Sequence, residues 1–290
     1  MPQPQSVPEA FSPIEVIEGD PSAGLILLCD HASNALPSEY GSLGLPATEF
    51  ARHIAYDIGT RDVTLALARR LGVPAVLSTF SRLLVDPNRG EDDPTVVMRL
   101  SDGTVIPGNH PITAEEVERR LERFHRPYHR AIDEMIDRCF ATGRVPALFS
   151  IHSFTPVWKA VVRKWEVALL WDSDPRMTLP LLEALRNQTG FKVGDNEPYD
   201  GALRNDTMYR HATARGLAHT LIEIRQDLIG DEAGSILWAE RLTPMLEAVN
   251  GLEEVHAIRH FGSRTGPVEA VSNPASGTPP ASAETGVAAV

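Results

Sequence analysis

Cysteine, lysine and long apolar runs are all scarce in this chain of 290 residues. Two cysteines, Cys29 and Cys139, can build neither a disulfide framework nor a four-thiolate zinc site, and they read as reduced thiols. No stretch approaches the roughly 18 apolar residues that a membrane-spanning helix needs. The N-terminal MPQPQSVPEAF has neither a basic start nor an apolar run, so no signal peptide is seen and a cytoplasmic location is expected. Basic residues number 27 against 39 acidic ones, a formal net charge of −12. Such a surface repels phosphate backbones and anionic membranes, so neither nucleic acid nor membrane is an expected partner. Apart from Lys159, Lys164 and Lys192 every basic residue is arginine, whose planar fork grips carboxylates in pairs, although a genome-wide base bias produces the same skew. G-x-G-x-x-G, G-x-x-x-x-G-K-[ST] and G-x-S-x-G are also missing, which removes dinucleotide, P-loop and serine-hydrolase readings.

What is present is a globular composition, 42% hydrophobic and 23% charged, which excludes a wholly disordered or fibrous chain. Residues 1–22 form an extension rich in Pro, Ser and Glu, with Ile14, Val16 and Ile17 able to add a short strand. Residues 23–261 read as one domain, and 262–290 as a disordered tail with no aromatic residue. Apolar runs at 24–30, 73–79, 145–151, 166–171 and 217–224 read as buried strands. Helices are expected over 48–71, broken near Asp57–Gly59, and after the Thr113/Glu116 capping box, with a kink at Pro127. Two more are expected, one opened by Asp174 and Pro175 and closed by Gly190, the other over 231–250. Strands alternating with helices predict an α/β fold with a largely parallel sheet.

In such sheets ligands sit beyond the carboxyl ends of the strands. Those ends carry Asp30 and His31, then Arg82, Asp86, Asn88 and Arg89, then His152, then Glu223 and Arg225. His31 and His152 are candidate zinc ligands; the alternative for each is a hydrogen bond from the ring to a loop carbonyl. Asp57 is the first choice for a third ligand, against a role as helix N-cap, with Asp30 as fallback or as a group orienting a ligand histidine. Glu223 stands in an otherwise apolar strand and must pair, bind metal or shift its pKa upward, the last making it a general base. Arg82, Arg89 and Arg225, with Asn88 and Asn196, are candidate anchors for a substrate carboxylate. Of His125 and His129, four apart on a helix, one is expected to pack and the other to face solvent, as are His256 and His260.

CDHASNALP (29–37), HIAYDIGT (53–60), SRLLVDPNR (81–89), SIHSFTP (150–156), NEPY (196–199) and EIRQDLI (223–229) resemble, in order and spacing, the N-formylglutamate amidohydrolase family. That resemblance implies hydrolysis of N-formyl-L-glutamate to formate and L-glutamate, a step of histidine breakdown. It also implies a three-layer α/β/α sandwich with a mixed sheet, like the zinc carboxypeptidases and aspartoacylase. It further implies a divalent metal, Zn2+ by expectation, near His31 and His152, with Glu223 as the catalytic carboxylate. The carboxypeptidase pattern has a glutamate three residues after its first histidine, where this chain has Asn34, so Asp57 is chosen on its own merits. The expected partner is a small acidic N-acyl amino acid. The competing readings are a non-catalytic binder of an acidic metabolite and a zinc carboxypeptidase-like peptidase. The oligomeric state is left open.

Overall fold

Apolar runs bounded by turn residues can bury both faces only inside a sheet covered on both sides, and these runs do so. The computed structural model describes residues 11–187 and 190–274. In chain order the strands and α-helices are β1 (Ile14–Ile17), β2 (Leu25–Cys29), α1 (Thr60–Leu71), β3 (Ala75–Ser78), β4 (Leu100–Ser101), β5 (Thr104–Val105), α2 (Ala114–Arg120) and α3 (Arg126–Ala141). They continue with β6 (Ala147–Phe154), β7 (Val157–Trp158), β8 (Val161–Val162), β9 (Val167–Leu170), α4 (Thr178–Asn187), β10 (Val193–Asp195), α5 (Thr207–His211), β11 (His219–Arg225) and α6 (Glu232–Asn250).

Seven strands form one sheet in the order β1-β3-β2-β6-β11-β9-β10. The four central strands β3, β2, β6 and β11 are mutually parallel, while β9 runs antiparallel to β11 and β1 antiparallel to β3. The sheet is therefore mixed and largely parallel, as expected. Strand alternation builds the layers. Leu25, Leu27 and Cys29 of β2 join a core with α1, α4 and α6, whereas Ile26 and Leu28 join one with α3 and α5. A third cluster, including Leu43, Phe80, Leu83, Ile106 and Phe124, packs the long connections into a wall over the carboxyl edge.

Several boundaries differ from expectation, each for a local reason. The segment 48–71 is helical in earnest only from Thr60; Ala47–Ala51 is a single 3-10 turn. The N-cap of α1 is Gly59 at φ +84°, where a Cβ would lie 2.0 Å from the Ile229 carbonyl oxygen, so only glycine fits. Helix α4 starts at Thr178, after a turn in which Asp174 accepts from the amide and guanidinium of Arg176. Pro127 is absorbed by a π-type turn at Leu121–His125, just ahead of α3. His125 and His129 are both buried, so neither faces solvent. His256 is half-buried and bonds the carbonyls of Val145 and Asn250, while His260 is exposed. From Gly262 to Pro274 the tail forms no helix or strand, yet Val271 N donates to Ala214 O, Asn273 to Arg215 O, and Arg264 pairs with Asp200. That stretch is fastened to the domain; the remainder of the expected tail lies outside the described residues. Among the described residues no helix is long and apolar enough to cross a membrane.

Candidate functional site

The parallel register sets one row of polar side chains across the sheet. Glu223 of β11 sits opposite His152 of β6. Leu28 of β2 sits opposite Ser150, so two residues further on Asp30 reaches His152. His152 lies within its strand, not beyond it as expected, because β6 runs on to Phe154. All three side chains share the parity of Leu28, Leu148 and Leu221, which face α3 and α5. Asp57 enters from the turn before α1. Its carbonyl accepts from the amide and hydroxyl of Thr60, so the backbone caps the helix while the carboxylate is left for the site.

Around Asp57 the imidazoles are ordered. Nδ1 of His31 lies 3.2 Å and Nδ1 of His152 2.9 Å from Oδ2 of Asp57. On the far sides of the rings, Nε2 of His31 donates to Asp86 (2.7 Å) and Nε2 of His152 to Asp30 (2.8 Å). Carboxylates behind both rings hold the Nε2 protons and leave Nδ1 of each ring turned to Asp57, the outer arrangement metal-binding histidines use; an ion bound there would displace the Nδ1 protons. One ligand atom from each of His31, Asp57 and His152 lies within 4.8 Å of the others, and all three residues are buried. The donor set fits a divalent ion: two imidazoles, a carboxylate, and further buried negative charge on Asp30 and Asp86.

Burial and these bonds set the charge of each group. Burial would raise the pKa of Asp30, but the bond and charge of His152, the charge of His31 and the bond from Thr207 bring it down to about 2; Ser150 and Tyr128 also donate to it. Burial likewise opposes the charge on Asp86, yet Arg82 and His31 hold it well below the usual carboxylate range. Asp57 is held low by the two histidines against its own burial. His152, whose burial disfavours the cation, is lifted to about 10 by its bonds to Asp30 and Asp57. Glu223 differs: burial, with the Asp57 charge added, pushes it up to about 7, and its Oε2 is buried with no partner. A proton-accepting carboxylate without a fixed partner, beside a cationic site, is what a general base requires.

His31, Asp57, His152 and Glu223 line a cavity of about 380 Å³, together with Arg82, Asn88, Arg89, Trp158 and Tyr199. Within it the expected anchors separate. Arg82 is neutralised, donating to Asp86 (2.7 Å) and Asp57 (3.4 Å), so it braces ligand carboxylates. Arg89 lines the cavity, bonded only to the carbonyl of Asn88, whose Oδ1 accepts from Thr207 N. Arg225 and Asn196 lie outside the cavity lining, against expectation. Arg225 is drawn to Asp227, Glu166 and the Trp165 carbonyl, and Asn196 Oδ1 accepts from the amides of Trp171 and Gly201. Sequence reasoning assigned Asp86 no role, although an acid closing the apolar run LLVD carries the same signal that singled out Glu223.

Comparison with known proteins gives the family. The model of the family described as "N-formylglutamate amidohydrolase" matches residues 23–230. An N-formylglutamate deformylase of Pseudomonas putida is 31% identical over 144 residues, 46% of this chain, and the match spans about half (49%) of that relative. Among solved structures, a gene product of Agrobacterium tumefaciens is 31% identical with a TM-score of 0.77, over 82% of this chain and 95% of its own. An N-formylglutamate amidohydrolase of Ralstonia eutropha, 20% identical, shares the fold with a TM-score of 0.66 over 84% of this chain and 99% of its own. With its family model covering most of the chain and the site residues inside the matched span, this protein belongs to the N-formylglutamate amidohydrolase family.

Proposed function

We propose that this protein is a metal-dependent hydrolase cleaving the amide of an acidic N-acyl amino acid, N-formyl-L-glutamate first, to formate and L-glutamate. The observation that carries the reading is the buried His31–Asp57–His152 donor set beside an unpartnered Glu223 in one cavity. His31, Asp57 and His152 would hold a divalent ion, zinc by the chemistry of two imidazoles and a carboxylate, and that ion supplies Lewis acidity at the carbonyl under attack. Glu223 takes a proton at Oε2 from the attacking water as the new C–O bond forms. It returns that proton to the nitrogen as the C–N bond breaks. Asp30 and Asp86 keep the two rings in one orientation, and Arg82 keeps Asp86 ionised. Arg89 and Asn88 face the substrate.

The test is release of formate from N-formyl-L-glutamate by purified protein, read alongside its metal content. One divalent ion per chain is expected, with hydrolysis lost on chelation and restored by added metal. His31→Ala and His152→Ala should each lose the ion. Metal-replete protein that leaves N-formyl-L-glutamate intact would overturn the reading.

A further inference from the structure

Arg163 is a buried cation that none of the roles above uses. It follows the β7–β8 hairpin, fixed by a bond from its own amide to the Pro156 carbonyl (2.8 Å). Only 8% of its surface is exposed, and its Nη1 is buried with no hydrogen-bond partner. Three aromatic rings surround the guanidinium instead: Tyr199 at 4.7 Å, Phe154 at 5.5 Å and Trp158 at 5.7 Å from ring centroid to Cζ. All three rings also line the cavity that holds His31, His152 and Glu223. Arg163 therefore stands one layer behind the cavity wall, and its charge is felt at His53 and at Tyr199, which both form that wall.

Cation–π contacts soften the burial of a guanidinium but do not supply a counter-charge. The other arginines near the site have one or are weakly held. Arg82 is matched by Asp57 and Asp86, and Arg225 by Asp227 and Glu166. Arg89 bonds only a carbonyl. Arg89 thus faces the cavity from the loop after β3 and Arg163 stands behind its aromatic wall from the hairpin after β6, neither of them in an ion pair among the described residues. Across a low-dielectric wall a positive charge still favours an anion strongly and is little screened by salt.

We propose that Arg163 is a specificity-determining residue whose missing counter-charge is a second carboxylate of the substrate, seated against the Trp158–Tyr199 wall. On this assignment Arg89 serves one carboxylate of the substrate already proposed, and Arg163 acts on the other through the aromatic wall. The inference rests on the proposed hydrolysis for its kinetic test, but its binding test does not.

The experiment compares wild type, Arg163→Met and Arg163→Lys on N-formyl-L-glutamate and the singly charged N-formyl-L-glutamine. In parallel, the affinity of each protein for glutarate and for butyrate is measured by calorimetry. Arg163→Met should raise KM for the doubly charged substrate about 10- to 100-fold, change KM for the singly charged one less than about threefold, and leave kcat within about threefold. Arg163→Lys should recover part of the loss. Wild type should prefer glutarate to butyrate, and Arg163→Met should abolish that preference. Equal losses on both substrates, or an unchanged preference for glutarate in a folded Arg163→Met, would refute the inference. Should Arg163→Met fail to fold, the Lys variant and the wild-type preference decide: no wild-type preference for the dicarboxylate refutes it. Failure of the hydrolysis itself shows as no turnover of either substrate by wild type, and leaves the calorimetric comparison intact.

Discussion

At the scale of single residues, the site depends on which acids are bound and which are free. Asp30, Asp57 and Asp86 each accept bonds from an imidazole, whereas Glu223 Oε2 has no partner in the same buried space. Desolvation, with the Asp57 charge added and only partly offset by His152, Arg82 and His31, lifts its pKa to about 7, where it can accept and release a proton near neutrality. Glu223→Gln keeps size and removes the base. Turnover should fall about 10²- to 10⁴-fold, while metal content is unchanged because Glu223 is not in the donor set. Steady-state rates beside elemental analysis check this; turnover within threefold of wild type would end the role given to Glu223.

At the scale of elements, the loop after β3 is placed by helix α3 and the turn before it. His125 Nε2 donates to the Arg89 carbonyl (2.9 Å) and His129 Nε2 to the Pro87 carbonyl (3.0 Å). Two histidines four apart share a helical face, and here that face grips the backbone on both sides of Asn88. Nδ1 of His129 lies 2.7 Å from Nε2 of His211 in α5, which ties the grip to a second helix. Thr207 of α5 adds its bond to Asp30 (2.6 Å). His129→Leu would leave the buried Pro87 carbonyl with only the long bond from the Thr207 hydroxyl (3.4 Å), at a cost of about 1–3 kcal/mol. The variant should melt several degrees lower and show a raised KM with a smaller change in kcat, since it loosens Asn88 and Arg89 without touching Glu223. A melting temperature equal to that of wild type would show that the helix does not hold the loop.

At the scale of the whole molecule, buried neutral histidines couple folding to pH. His219 begins β11, with its Nδ1 donating to the Leu217 carbonyl (2.9 Å) and its Nε2 3.2 Å from the Thr213 hydroxyl. Burial lowers its pKa, with Arg176 adding to the effect and Asp174 and Asp172 opposing it. The unfolded chain binds a proton near pH 6.5 that the folded chain refuses, so this contribution is complete above that pH and is lost as pH falls through it. Thermal melts between pH 8 and 5 should show wild type losing stability on acidification, and His219→Leu losing less. Parallel curves for the two proteins would remove His219 from the account.

The strands could be placed from the sequence because apolar runs bounded by turn residues have few other places to go, and β2, β3, β6, β9 and β11 fall within those runs or within a few residues of them. His31, His152 and Glu223 stood out for a related reason: polar groups at the edge of a buried strand need a partner. The same reasoning could not tell Arg82 from Arg89 or Arg225, it passed over Arg163, and it placed a helix across Ala47–Ala51 where a short 3-10 segment forms. What the sequence by itself determined is the alternation of layers and a short list of polar residues at one sheet edge. What only the tertiary structure decided is which of those charges is already spent. Arg82 meets Asp57 and Arg163 lies among three aromatic rings because strand order and register bring distant segments together, and a side chain's chemistry is set by the partners it meets there.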